Sequence, residues 1–178
     1  MAKLFSAGIM TSESVQSYVL SGKADVALDD GAFVVVGDYA VGTVYGQTDK
    51  DQNVHTLTAP AAVTDTVAVV DYAGISEGTI AGNVYKLGYK LYDLQVPAGT
   101  ATRVRRLDLG DKFYLGDGNF ATLPEAGKFA KLTANDTILT PAATLPAQGF
   151  AVKINRVDSL TTGTRANGSR IECEVVQL

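Results

Sequence analysis

An all-β protein, built as a compact β-barrel or β-sandwich with an extended N-terminal arm, is what this sequence predicts, and three observations carry that expectation. Apolar residues make up 46% of the 178 residues, charged residues only 19%, and there are 18 Gly and no Trp. With Val, Thr, Tyr and Ala prominent, such a composition favours many short strands and turns over helices. Short apolar runs are also punctuated by Gly and Asp. The fullest case is 110–120, Gly-Asp-Lys-Phe-Tyr-Leu-Gly-Asp-Gly-Asn-Phe, which reads as a β-hairpin turning at Asp117-Gly118-Asn119, since an Asp-Gly pair takes the positive φ angles of a tight hairpin turn. Finally, Ile171, Cys173 and Val175 alternate with Glu172 and Glu174, the pattern of a strand with one core face and one wet face.

Taken in order, residues 1–25 are Ser-rich with scattered apolar side chains and no sustained period. Val15, Tyr18 and Val19 have helical spacing, and Thr11 or Ser12 suits a cap, but the stretch is too short for a helix without something to pack on. It reads as an arm whose deletion over 2–20 leaves the rest folded; a first strand of the domain is the competing reading. Asp29-Asp30-Gly31 makes a turn, and the continuous apolar run 32–36 suits a strand covered on both faces. Val41, Thr43 and Tyr45 alternate as a second strand before a polar loop at 47–53. In 66–72, Val67 and Val69 share one face and Ala68 and Val70 the other, which makes another buried strand.

Gly74, Gly78 and Gly82 read as loop glycines. Over 84–96 the alternating tyrosines and Gly88 favour a strand with a bulge near Tyr92-Asp93, against a helical stripe of Val84, Leu87, Leu91 and Leu94. Pro97-Ala98-Gly99-Thr100 is a turn, 102–109 a strand carrying Arg103, Arg105 and Arg106, and further strands fall at 129–133, 150–157 and 170–177. The polar stretch 158–169 is expected as a long loop of a terminal hairpin. The expected core is Phe33, Val35, Val67, Val69, Leu91, Phe113, Leu115, Phe150, Val152, Ile171 and Cys173.

Length leaves one large or two small domains open. Residues 31–38 echo 110–117, and Leu57-Thr-Ala-Pro-Ala-Ala-Val resembles Leu139-Thr-Pro-Ala-Ala-Thr-Leu. These echoes suggest an arm at 1–25, a first β unit at 26–100 and a second at 101–178; chance matches among common Ala, Thr and Pro compete with duplication.

Chemistry is sparse. His55 is the single histidine and Cys173 the single cysteine, so a catalytic triad has one possible centre and a zinc site of the usual composition is nearly excluded. Asp49-x-Asp51-x-Asn53 copies the start of a calcium loop, but Val54 and Pro60 stand where Gly and Glu belong. Gly127-Lys128 is followed by Phe129 and lacks the pattern of a phosphate loop. The three arginines suit either an acidic partner or a salt-bridged strand face. A net charge of −4 supplies no basic field for nucleic acid, and no run has the length or pattern of a signal peptide or a membrane span. The expectation is a soluble protein made in a cytoplasm, not an enzyme, without cofactor or metal.

The apolar arm, the phrases Asp30-Gly31-Ala32-Phe33-Val34-Val35-Val36-Gly37 and Gly110-Asp111-Lys112-Phe113-Tyr114-Leu115, and the closing Gly149-Phe150-Ala151-Val152-Lys153-Ile154 together resemble the small Gly/Ala/Thr-rich capsid decoration, or head-stabilising, proteins of tailed bacteriophages. The resemblance implies a structural virion protein on the outer capsid surface, clustered as a trimer or other homo-oligomer, with its arm against the major capsid protein. Phe5, Ile9, Met10, Val15, Tyr18 and Val19 are then the partner-binding residues, because apolar anchors in a segment with no core of its own need a surface to hold them. The competing readings are a carbohydrate- or host-binding β module of a phage tail or fibre and, disfavoured by the scarcity of His and Cys, an enzyme on a β-barrel scaffold.

Overall fold

The structure, a computed structural model, describes residues 3–44, 47–72, 77–80, 83–86, 95–162 and 165–178. In chain order the strands are β1 (Phe5–Ala7), β2 (Val19–Lys23), β3 (Leu28–Asp29), β4 (Phe33–Val44), β5 (Gln47–Thr58), β6 (Ala68–Asp71), β7 (Glu77–Ile80) and β8 (Asn83–Lys86). They continue with β9 (Gln95–Val96), β10 (Thr102–Arg106), β11 (Lys112–Gly116), β12 (Phe129–Leu132), β13 (Leu139–Ala142), β14 (Ala151–Thr162) and β15 (Arg165–Gln177). The chain is all-β. Five strands close a barrel in the order β10-β2-β5-β4-β6, six form a sheet in the order β1-β11-β15-β14-β12-β13, and β3–β9 and β7–β8 are two-stranded ribbons.

The apolar run that opens β4 explains how barrel and sheet fit together. Phe33 and Val35 point to one side of the strand and Val34 and Val36 to the other, as period-2 geometry requires. Phe33 joins Val67, Val69 and Leu107 from the barrel's outer side in a core shared with Phe113, Leu115, Val152, Ile154, Ile171, Cys173 and Val175 of the six-stranded sheet and with Phe150 just before β14. Val34 instead joins Leu57, Ala68, Val70 and Val104 in a second core inside the barrel. The register Phe33↔Val69 and Val34↔Ala68 keeps like faces together across β4 and β6. Both strands are therefore covered on both faces, as their unbroken apolar sequence predicts, and burying each such side chain contributes about 1.5–3 kcal/mol.

Of the expected core, Phe33, Val67, Val69, Phe113, Leu115, Phe150, Val152, Ile171 and Cys173 are buried and Val35 packs against them half-buried; Leu91 lies outside the described residues, as does the expected bulge at Tyr92-Asp93. The turns at 29–32 and 97–100 form, with Gly31 and Gly99 at φ +78° and +74° and closing bonds from Ala32 N–H to the Asp29 carbonyl and from Thr100 N–H to the Pro97 carbonyl, each 3.1 Å.

Five expectations are corrected. The stretch 110–120 is not a hairpin: β11 pairs with β1 and β15, while Asp117–Asn119 form a 3-10 turn that sends Phe120 to a bridge with Leu139. Gly118 stays out of the positive-φ region that a hairpin turn would demand. The polar stretches at 47–53 and 158–169 are not loops either, because β4 and β5 stay paired to Val44↔Gln47 and β14 and β15 to Thr162↔Arg165. The N-terminal arm is also corrected: β1 pairs antiparallel with β11 from Phe5↔Leu115 to Ala7↔Phe113, and β2 pairs with β10 and, in parallel, with β5. Nor do the two halves repeat as units, since the barrel draws β2 from 1–25, β4 to β6 from 26–100 and β10 from 101–178.

Candidate partner-binding surface

The N-terminal segment is fixed to the body along its whole described length. Lys3 Nζ lies 2.8 Å from Asp29, the Leu4 N–H donates to Asn119 Oδ1, and the Phe5 N–H donates to Asp30 Oδ2. Past β1, the Gly8 N–H donates to the Lys112 carbonyl and the Lys112 N–H donates back to the Ile9 carbonyl. Thr11 then gives both its N–H and its hydroxyl to Asp111 Oδ1, at 2.7 and 2.9 Å. Asp111 is itself buried, and its other oxygen accepts the Asp108 N–H at 2.9 Å. One carboxylate thus joins the turn of residues 8–11 to the turn of residues 108–111.

Next, the 3-10 turn Thr11–Glu13 meets β10. Arg105, only 8% exposed, donates to Ser12 Oγ, to Glu13 Oε1 at 2.6 Å and to Asp71 Oδ2 at 2.5 Å, while Arg103 reaches the same Asp71 oxygen at 2.8 Å. Two of the three arginines are salt-bridged on the strand face, one of the two readings their sequence allowed.

This anchoring sorts the expected partner residues. Phe5 and Met10 face the shared core instead of a partner, because β1's register on β11 turns Phe5 inward with its ring 5.8 Å from that of Phe113. Tyr18 and Val19 are half-buried, Val19 opening β2 opposite Arg105. Ile9 and Val15 are left outside, 78% and 37% exposed. The structure adds Leu109, 60% exposed on the turn that Asp111 ties to Ile9's. Sequence reasoning placed Leu109 at the end of a strand; the available signal was a large aliphatic residue immediately before Gly110-Asp111. Ile9 and Leu109 are therefore large aliphatic side chains held in water on two pinned turns.

Elsewhere, His55 and Tyr39 stack with ring centroids 4.5 Å apart. His55 Nδ1 lies 2.9 Å from the Gly37 carbonyl, which can only accept, so Nδ1 carries the hydrogen and Nε2 is the acceptor in the neutral ring. Register shifts on either side of Tyr39 interrupt the β4–β5 ladder there, and Tyr39 is 47% exposed. Cys173 is fully buried, and burial pushes its thiol well above the ordinary range, which makes it a small core hydrophobe and not a nucleophile. Among the described residues no group of three or more His, Cys, Asp or Glu is placed to hold a metal ion, and no helix is long and apolar enough to cross a membrane.

Comparison with family models, with curated proteins and with solved structures gives no match for this chain.

Proposed function

We propose that this is a structural virion protein that binds the outer surface of a bacteriophage's major capsid shell and stabilises it, using the face that carries Ile9 and Leu109. The observation that supports this reading is their combination of exposure and fixity. Exposed large aliphatics on mobile loops lose conformational entropy on docking, whereas these sit on turns that Asp111 and the β11 backbone already hold. Covering each by a partner is worth about 1.5–3 kcal/mol. The test is co-sedimentation with shells of the phage that encodes it, stripped of the native protein. Wild type should bind, and Ile9→Asp/Leu109→Asp should bind at least tenfold more weakly with an unchanged melting temperature. Shells that do not retain the wild-type protein would remove the proposal.

A second reading, a carbohydrate-binding module of a phage tail or fibre, is favoured by the exposed Tyr39 ring stacked on a histidine with a free acceptor nitrogen. A sugar face can stack on such a ring while a hydroxyl donates to Nε2. Glycan-array binding by wild type and its loss in Tyr39→Ala would favour this reading over the shell.

A further inference from the structure

Asp30 is a carboxylic acid buried at the junction of barrel, sheet and N-terminal segment, 5% exposed. Its Oδ2 accepts the Phe5 N–H at 2.8 Å and its Oδ1 the Tyr72 N–H at 2.9 Å. Its own carbonyl accepts Asn119 Nδ2 at 2.7 Å, and the fully buried Asn119 uses its Oδ1 for the Leu4 N–H at 3.1 Å. The N–H groups of Leu4 and Phe5, where the chain enters β1, are thus held by one buried polar pair.

The charges around this pair are already committed. From the segment before β1, Lys3 goes to Asp29; from β10, Arg103 and Arg105 both go to Asp71 at the end of β6, and Arg105 also to Glu13. The turn that follows β11 brings Asp117 beside Asn119. Among the described residues no cation forms a salt bridge with Asp30, and Asp71 adds a like charge. Two N–H bonds do not repay the removal of a carboxylate from water in such a place.

We infer that Asp30 is a proton-operated latch on the N-terminal strand, holding β1 more tightly against β11 when it is protonated and more loosely when it is ionised. Burial first and then Asp71 push the Asp30 carboxyl up to about 6 from an ordinary 3.8, against the opposing N–H bonds of Tyr72 and Phe5. The direction follows from linkage: the closed state binds the proton better than an opened state in which Asp30 meets water, so acid favours closure and closure weakens as pH rises through about 6. Between pH 5 and 7 those two values make opening of β1 about tenfold more frequent. The inference does not depend on what the Ile9 face binds.

Hydrogen exchange of the intact protein reads this directly. After correction for intrinsic exchange rates, protection of amides at 5–8 relative to those at 171–175 should fall about tenfold from pH 5 to pH 7, and Asp30→Asn, which cannot ionise, should flatten that slope. The Asp30 side-chain carboxyl carbon shift in wild type, which needs no variant, should titrate with a midpoint near 6. A flat wild-type protection ratio, a wild-type slope that survives in Asp30→Asn, or an ordinary carboxyl midpoint would each overturn the latch. The second outcome would assign the pH response to the Asp71–Arg105–Glu13 cluster or to the Lys3–Asp29 pair.

Discussion

Removing the ring of Phe113 tests whether one core joins the barrel to the six-stranded sheet. The side chain is completely buried on β11, 5.8 Å from the Phe5 ring and 6.4 Å from the Phe33 ring, and Phe33 in turn lies 5.2 Å from Phe150. Truncation to Ala loses the transfer free energy of the ring and leaves a cavity, together about 3–5 kcal/mol. Strands of two sheets wall that cavity, so it has little freedom to collapse, and a loss near 4 kcal/mol is expected. For a chain of this size that lowers Tm by ~12 °C, out of a total stability of about 5–15 kcal/mol. Urea titration followed by far-ultraviolet circular dichroism and by tyrosine fluorescence is the assay. The midpoint should fall with an unchanged m-value, and the two probes should coincide, because a shared core unfolds once. Phe33→Ala should behave alike, and the double variant should reveal a coupling of about 0.5–1.5 kcal/mol from the paired rings. A loss below 1 kcal/mol, or separate transitions for the two probes, would refute the reasoning.

Deleting residues 2–20 should leave no cooperative thermal transition, since it removes β1 and the start of β2 from two different sheets; a sharp melt would restore the separable arm. Arg105→Ala should cost about 3–5 kcal/mol in urea titration, because it strips the buried partner from Asp71 and leaves that charge closer to isolation. Arg106→Ala, at an exposed neighbour, should stay within about 0.5 kcal/mol. Gly31→Ala should cost more than Gly99→Ala: both hold a positive φ, worth roughly 1–2 kcal/mol of strain, but only at Gly31 would a Cβ meet Asn119 and Leu115 atoms at 2.8 and 2.9 Å, whereas Gly99 faces open space. Equal costs by thermal denaturation would show that the neighbours give way.

What could be read from the sequence follows from where hydrophobicity does its work. The strands at 33–36 and 68–71 announce themselves because both faces are apolar, and 170–177 because one face is. The outer parts of β5 and β14 carry no such mark: beyond the register with β2 and with β12 each pairs with one strand among the described residues, and the polar sequence at 47–53 and 158–159 shows no apolar alternation to read. β1 escapes notice because three residues cannot display a period. Asp30 and Asn119 read as turn formers beside glycines, and Asp111 stands next to Gly110 with nothing local to mark it, yet each takes a hydrogen bond from a chain segment dozens of residues away. Nothing local in a sequence distinguishes a turn Asp from a turn Asp that also holds a distant strand. The same reason hid the candidate face, since the turns of Ile9 and Leu109 are tied together by Asp111 and by the Gly8 and Ile9 bonds to Lys112, about a hundred residues apart in sequence.

The way both sheets join strands from distant parts of the chain has a consequence for when this protein exists. The barrel closes only when β10 reaches β2, and β1 finds its place only when β11 is made, with the Leu4–Asn119 bond spanning 115 residues of sequence. β15, which adds Ile171, Cys173 and Val175 to the shared core beside β11, follows later still along the chain. Loop-closure entropy on that scale precedes any reward from contacts, and topologies dominated by such distant pairings fold in milliseconds to seconds, not microseconds. During synthesis β1 therefore has no partner until β11 has been made, and β2 cannot close the barrel until β10 has, so neither sheet is complete while only the earlier strands exist.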